Sequence, residues 1–313
     1  MHPAFSVLFL TTLIGAGQGL VIALFSAELA SGRDWFSAAP SGDFYALGAL
    51  VAALLAMAGM VASFFHLGRP ERAWRSASQW RTSWLSREVI VLPGFVGLAL
   101  AYAAAHWFAR QESFAVGALA SLAAVALFVC TGMIYACIRF LREWATALTP
   151  INFILLGCAS GFTLATAIAG YAAPGLLAFF AIGAVAFTLA AAVGRAAAWR
   201  RNATLPPKST LQTAIGIRHG RIEQKSQGFM GGSFNTREFF HGRSAHTLRA
   251  LRWFTVVAAF VVPVALIAAG ALLNSSALPA LAFIVQYAGL LGERWLFFAE
   301  ANHPQNLYYQ RMA

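Results

Sequence analysis

The sequence predicts an all-α integral membrane protein, built as a bundle of about eight transmembrane helices. Hydrophobic residues fill 59% of the 313 positions, charged residues fill only 11%, and the mean hydropathy is +0.67. A soluble domain usually carries about 25% charged residues. A chain with so little polar surface cannot cover its own apolar core, so we expect lipid to be its solvent.

Apolar runs of spanning length recur along the whole chain, which we take as one membrane domain over residues 1–313. A bilayer core about 30 Å thick needs roughly 20 apolar residues in a helix. Small residues within the runs permit close helix contacts, and Gly157 and Gly161 have G-x-x-x-G spacing. The eight runs are Ala4–Leu29, Phe44–Phe65, Val89–Phe108, Phe114–Ile138, Ile151–Tyr171, Leu176–Ala197, Leu251–Leu273 and Leu278–Ala299.

The distribution of basic residues predicts the topology. The formal net charge is +11, and with eight spans 20 of the 22 Lys and Arg residues lie on the side that holds both termini. The opposite side has only Arg33 and Arg110. By the positive-inside rule, both termini are expected on the cytoplasmic side of the membrane. The basic charge is thereby accounted for by loops and lipid, and we expect no nucleic-acid partner.

The segment 199–248 is the one long polar stretch, and at about 50 residues it exceeds what an idle helix connection needs. Aromatic and basic residues alternate there with glycines, which favours an ordered cytoplasmic arm that docks a protein partner. The alternative is a loose connection near anionic lipid. The residues predicted to dock the partner are Phe229, Phe234, Asn235, Arg237, Phe239 and Phe240.

The densest polar group lies between the second and third spans. His66 stands at the membrane boundary and Glu88 where the third span enters the lipid, and an ionisable residue at that depth suggests function. An imidazole can hydrogen-bond a quinone carbonyl and relay its proton to a nearby carboxylate, so these two residues are the candidate catalytic pair. The candidate quinone-binding set is His66, Arg69, Arg75, Trp80, Arg81, Trp84 and Glu88. The alternative is an interfacial belt of Trp and Arg.

Resident metal centres are not expected in this chain. Cys130, Cys137 and Cys158 form no C-x-x-C pair, so neither an iron–sulfur cluster nor a zinc site is indicated. A b-type haem needs two histidines at one depth, whereas His66 and His106 are predicted near opposite faces of the membrane. We therefore expect haem to be absent.

The motifs around this polar group resemble those of the DmsC family, the membrane-anchor subunits of dimethyl sulfoxide reductase-type molybdoenzymes, and more distantly NrfD-type anchors. The resemblance rests on the opening residues 1–4 (MHPA), on residues 66–73 (HLGRPERA) and on residues 85–88 (LSRE), with a weaker match around Arg294. It implies partners: a four-cluster iron–sulfur subunit and a molybdopterin catalytic subunit, which carry all the clusters and the molybdopterin. It also implies that the histidine matching His66 acts at the quinone site.

The resemblance, together with the topology, favours the sulfite-oxidising branch of this family. The His66 loop lies on the basic side, so the partners are expected in the cytoplasm, and the arm around Phe234 is a feature of that branch. Electrons would then pass from the catalytic module to the quinone pool. The alternatives are a quinol-oxidising anchor of a sulfoxide reductase and, in a different class, a transporter or channel. The transporter is disfavoured because the sequence shows no inverted repeat and no charge at the middle of a span.

Overall fold

The fold is known from a computed structural model that describes residues 5–33, 35, 41–109, 112–206, 210–222 and 244–301. Every regular element in these ranges is a helix, which confirms the predicted all-α class. A 3-10 helix, Pro70–Gln79, lies between α2 and α3, and a π-helical turn, Val257–Val261, lies between α8 and α9. The α-helices are α1 Phe5–Ser31, α2 Gly42–Phe64, α3 Trp84–Trp107, α4 Ser113–Ala136, α5 Leu148–Ala172, α6 Leu177–Ala203, α7 Leu211–Ile215, α8 Ala245–Val256, α9 Val262–Leu272 and α10 Ala277–Ala299.

Seven of the eight predicted spans are confirmed, and the chain is a multi-pass membrane protein. Among the described residues, seven helical segments are long and apolar enough to cross a bilayer: α1 to α6, and the continuous segment His246–Leu272 formed by α8, the π-helical turn and α9. The last helix, α10, has 23 residues, but it is less apolar because it carries Gln286, Glu293 and Arg294. These three side chains are buried in the bundle rather than exposed to lipid, so a bundle of about eight helices fits the structure.

Helices α1 and α5 form the centre of the bundle and are the most buried of the spans. They cross with their backbones nearly touching, because glycines face each other at the crossing. A Cβ atom on Gly19 would lie 2.0 Å from the Gly157 carbonyl oxygen, and one on Gly161 would lie 2.0 Å from the Gly19 carbonyl carbon. The predicted G-x-x-x-G pair therefore does mark a close helix contact, with α1 as the partner.

The π-helical turn has a local cause in Pro263. Proline has no backbone N–H, so the carbonyl four residues earlier, that of Ala259, loses its usual helical donor. The Gln286 side chain of α10 donates to that carbonyl at 3.3 Å, and also to the Thr188 hydroxyl of α6 at 3.0 Å. A neighbouring helix thus satisfies the freed group, as membrane helices require.

Consecutive spans run in opposite directions, so the bundle has two chemically different ends. Side-chain contacts link neighbouring segments at each end. At one end the Arg201 side chain of α6 donates a hydrogen bond of 3.0 Å to the Arg142 carbonyl. His106 pairs with Glu28 at 3.3 Å at the other. We call the end at which α2, α4, α6 and α10 finish the basic end, because most arginines lie there.

Candidate functional site at the basic end

The connection between α2 and α3 carries most of the predicted quinone-binding residues. Its 3-10 helix is attached to the start of α3 by Arg87, which donates to the carbonyls of Trp80 at 2.9 Å and Arg81 at 2.8 Å. The Arg87 guanidinium also lies 4.2 Å from the centre of the Trp84 ring. The connection is therefore a fixed part of the basic end, in spite of its polar sequence.

His66 lies just beyond the last turn of α2, and its side chain is exposed. The imidazole makes no hydrogen bond or ion pair with any residue that the structure describes. Partial desolvation by the neighbouring chain lowers the pKa of His66 from its ordinary value of 6.5. This shift favours the neutral ring, in which one nitrogen donates and the other accepts a hydrogen bond.

The arginines and tryptophans of the connection form a surface rather than a closed pocket. Arg69, Arg75, Trp80 and Arg81 are exposed, and Trp84 is half-buried. Within this surface the Arg81 guanidinium lies 5.4 Å from the Trp80 ring centre. These side chains present cations and flat aromatic rings on an exposed surface, where a ligand or a partner protein can contact them.

Glu88 is buried, in contrast to the rest of the predicted site. The sequence predicted that the third span begins at Val89, but α3 begins at Trp84, where Ser83 accepts a hydrogen bond from the Ser86 N–H at 3.3 Å. Glu88 therefore lies one turn inside the helix and is only 8% exposed. Its carboxylate accepts a hydrogen bond from the Thr131 hydroxyl of α4, and no described cation lies within ion-pair distance.

His66 and Glu88 are thus not in direct contact in the structure. Glu88 faces an internal cavity among α1, α3, α4, α5 and α10, and His66 does not line it. The cavity offers about 20 Å³ to the centre of a water molecule, room for about one or two waters. A benzene-sized ring needs roughly 150 Å³, so a quinone ring does not fit in this cavity.

Sequence reasoning missed a network of buried charges beside this cavity. The Glu293 carboxylate of α10 forms ion pairs with Arg195 of α6 at 3.0 Å and with Arg294 at 2.8 Å. Arg195 reaches on to Glu300 at 3.2 Å, and Glu300 pairs with Arg252 of α8 at 2.9 Å. Arg195, Glu293 and Arg294 are each at most 4% exposed.

The sequence did contain a signal for this network. Arg195 and Arg294 fall inside predicted spans, yet they were counted with the basic loops when the topology was predicted. A charge inside a span usually faces the interior and pairs with another charge. Spacing along the chain does not say which helices meet, so the partners could not be chosen from sequence.

A second cavity, also with about 20 Å³ open to a water centre, lies beside this network. Asn152, Glu293 and Glu300 line it, and it shares Arg294 and Phe153 with the Glu88 cavity. At 6% exposure Asn152 is buried, and its side-chain oxygen has no hydrogen-bond partner among the described residues. The basic end therefore holds two adjoining small polar spaces.

The opposite end of the bundle holds the other membrane histidine. His106 Nε2 lies 3.3 Å from the Glu28 carboxylate, which accepts hydrogen bonds from the Tyr102 hydroxyl at 2.7 Å and from the Ser113 hydroxyl at 3.0 Å. His66 lies at the basic end and is exposed, so these two histidines cannot ligate one haem. No His, Cys, Asp and Glu group with metal-ligand geometry occurs within the described ranges.

The residues predicted to dock a partner, Phe229, Phe234, Asn235, Arg237, Phe239 and Phe240, lie outside the described residues. The described parts of the 199–248 segment are the end of α6, the stretch 210–222 with α7, and the start of α8. Arg142 donates to the Pro206 carbonyl at 2.8 Å, which fixes the beginning of the segment to the basic end. The docking function of this segment remains a prediction.

Comparisons with known proteins identify the family. The model of the DMSO reductase anchor subunit (DmsC) family matches residues 3–300. A sulfite dehydrogenase subunit of Allochromatium vinosum is 58% identical over 326 aligned positions, and the alignment covers 100% of both chains. The family match covers nearly the whole bundle, including the α2–α3 connection and α10. The chain therefore belongs to the DmsC family of DMSO reductase anchor subunits.

Proposed function

We propose that this chain is the membrane anchor and quinone-reactive subunit of a molybdopterin and iron–sulfur oxidoreductase that oxidises sulfite. In this assignment the molybdopterin subunit oxidises sulfite with water to sulfate, releasing two electrons and two protons. A four-cluster iron–sulfur subunit passes the electrons to this chain, where quinone takes up two electrons and two protons to become quinol. The sequence identity of 58% to a sulfite dehydrogenase subunit, over 100% of both chains, supports sulfite as the substrate of the complex.

The main support for a quinone site is the set of exposed side chains in the α2–α3 connection. A neutral, exposed imidazole there stands among arginines and tryptophans at the end of an apolar helix. Since neither internal cavity has room for a ring, the quinone head would lie on the surface of this connection. Lipid and the iron–sulfur subunit would then enclose it.

Each side chain of the connection has a distinct role in this proposal. His66 donates a hydrogen bond to a quinone oxygen and relays a proton to it, taking one up at its other ring nitrogen as it gives one from the first. Arg69, Arg75 and Arg81 stabilise negative charge as it develops on the quinone oxygens. The rings of Trp80 and Trp84 flank the flat quinone head.

Glu88 has a separate role beneath this surface. Its buried carboxyl accepts a hydrogen bond from Thr131 and lies near the start of α3, at the same end of the bundle as His66. His66 and Glu88 therefore act as outer and inner members of one proton relay, with the substrate or water between them.

The orientation follows from the charge distribution. Most basic residues lie at one end of the bundle, so that end, with both termini, faces the cytoplasm across a bacterial inner membrane. The catalytic module then docks on the cytoplasmic side, against the α2–α3 connection and the 199–248 segment.

The proposal is tested by purifying the complex through an affinity tag on this chain and identifying its partners. We expect iron–sulfur and molybdopterin subunits to co-purify, and sulfite to reduce a water-soluble quinone analogue. The family description points to a second candidate, a sulfoxide reductase anchor. Quinol-driven reduction of dimethyl sulfoxide without sulfite oxidation would establish that second function and overturn the first.

A further inference from the structure

We infer that the two cavities at the basic end form a hydrated proton route, which leads from the surface beside Glu300 and Asn202 to the Glu88 carboxyl. The inference rests on the proposed quinone chemistry, because quinone reduction consumes two protons for every two electrons. It adds the path by which those protons reach a carboxyl that is itself closed off from solvent.

The two cavities are arranged in series. The outer one is lined by Glu143, Asn202 and Glu300, all half-buried at the basic end, and by Asn152 deeper in the bundle. The inner one is lined by Glu88 and by hydroxyl and amide groups, among them Thr12, Gln18, Thr131 and Ser160. Each has room for about one or two waters.

Arg294 forms the wall between the cavities, together with Phe153, over whose ring its guanidinium lies at 3.9 Å. The Arg294 Nε forms an ion pair with Glu293, whereas the buried Arg294 Nη1 has no hydrogen-bond partner among the described groups. One side chain that borders both spaces and keeps a free donor can bind water on either side.

The unpartnered groups indicate that the cavities are wet. The Asn152 side-chain oxygen and Arg294 Nη1 are both buried without a partner among the described residues. Leaving such buried groups unsatisfied is unfavourable, whereas one water in each space supplies the missing bonds. Truly dry cavities are lined by apolar groups, and these two are not.

The proton balance along the route is simple. When Glu88 gives up a proton towards the quinone site, a carboxylate is left, to which the Thr131 hydroxyl donates. Water in the inner cavity returns a proton to Glu88, and water in the outer cavity replaces it from the surface. Arg294 keeps its own protons throughout: it positions the waters and offsets the charge of Glu88.

The variant Asn152→Leu tests the outer cavity. It replaces the amide with an apolar side chain of similar volume, which cannot hydrogen-bond the water there. This change also removes the hydrogen bond from the Asn152 amide to the Gly194 carbonyl, 3.2 Å long, which joins α5 to α6. Asn152→Ser is the matched control, because it loses the same bond but leaves space and a polar group for water.

Both variants are measured in the whole purified complex, with a soluble quinone and with an artificial electron acceptor. We expect Asn152→Leu to lower quinone reduction about tenfold and to raise its solvent deuterium isotope effect. Artificial-acceptor activity should be unchanged, and Asn152→Ser should behave as the wild type. Wild-type turnover and isotope effect in Asn152→Leu would overturn the route, as would an equal loss of both activities in both variants.

A wild-type complex that does not reduce quinone would instead refute the proposed function, and a second measurement then still decides the route. A cryo-EM structure of the complex at a resolution that shows ordered water should contain waters beside the Asn152 oxygen and Arg294 Nη1. Empty or collapsed cavities in that map would overturn the inference.

Discussion

The crossing of α1 and α5 depends on the absence of side chains at Gly19 and Gly157, and Gly19→Ala tests it. The added Cβ would stand 2.0 Å from the Gly157 carbonyl oxygen, 2.7 Å from its carbonyl carbon and 3.0 Å from the Cα of Cys158. All three are backbone atoms, so no rotamer change relieves the contact. The two helices must move apart by roughly 1.5 Å to restore an ordinary separation.

Such a gap is costly because α1 and α5 lie at the centre of the bundle. A separation of roughly 0.5–1 Å forfeits a quarter to a half of the dispersion energy along the interface. Overpacked cores lose about 1–3 kcal/mol, and with only backbone in the way we expect the upper end, about 3 kcal/mol. The inner cavity would also change shape, because residues of both helices line it.

The matched control is Gly97→Ala, in α3. Gly97 is exposed, and a Cβ there meets nothing within 4 Å. Since alanine is the better helix former, this control should gain up to about 1 kcal/mol. Stability is measured on the detergent-solubilised protein as the SDS fraction that unfolds it, followed by circular dichroism. If Gly19→Ala unfolds at the same SDS fraction as Gly97→Ala, the close crossing is refuted.

Three further predictions concern charge, docking and orientation. Glu293→Gln leaves two buried arginines without their shared carboxylate, so the free energy of unfolding should fall by about 3–5 kcal/mol, measured by the same unfolding assay. The control is Glu71→Gln at an exposed position, which should change the free energy of unfolding by less than about 0.5 kcal/mol. Deletion of Gly228–Gly242 should release the catalytic subunits into the soluble fraction, and an intact complex after deletion would make this segment a connector only. The exposed Cys137, at the end of α4, should react with a membrane-impermeant maleimide in inside-out vesicles but not in intact cells, and the reverse result would invert the topology.

The spans could be predicted because their signal is local. Each needs only a run of apolar residues long enough to cross the bilayer, and neighbouring helices do not alter that requirement. Errors occur at the ends, where the helix continues past the apolar run. The stretch Trp84–Glu88 is polar enough to resemble a loop, but Ser83 caps it and it is helical. This shift of one turn is what buries Glu88.

The site was predicted only in part, for a related reason. The candidate quinone-binding residues, from His66 to Glu88, are close together in sequence, so they could be proposed as a group from their residue types alone, and their role stays a prediction. The buried network joins α6, α8 and α10, and its partners are up to 105 residues apart, as Arg195 and Glu300 are. Such pairing depends on which faces of the helices meet, and an apolar run alone does not specify its inward face. The hydrogen bond from Gln286 to the Ala259 carbonyl in the π-helical turn likewise joins two helices and could not be chosen from sequence.

His66→Ala in the assembled complex tests the central proposal, a quinone-reactive anchor, most directly. We expect the complex to assemble normally, sulfite oxidation with a soluble artificial acceptor to be unchanged, and quinone reduction at pH 7 to fall by at least about tenfold. Trp107→Ala, which removes an exposed aromatic ring from the opposite end of the bundle, is the control and should leave both activities intact. Unchanged quinone reduction in a fully assembled His66→Ala complex would contradict the account, and a parallel loss of assembly and of both activities would make His66 a structural residue instead.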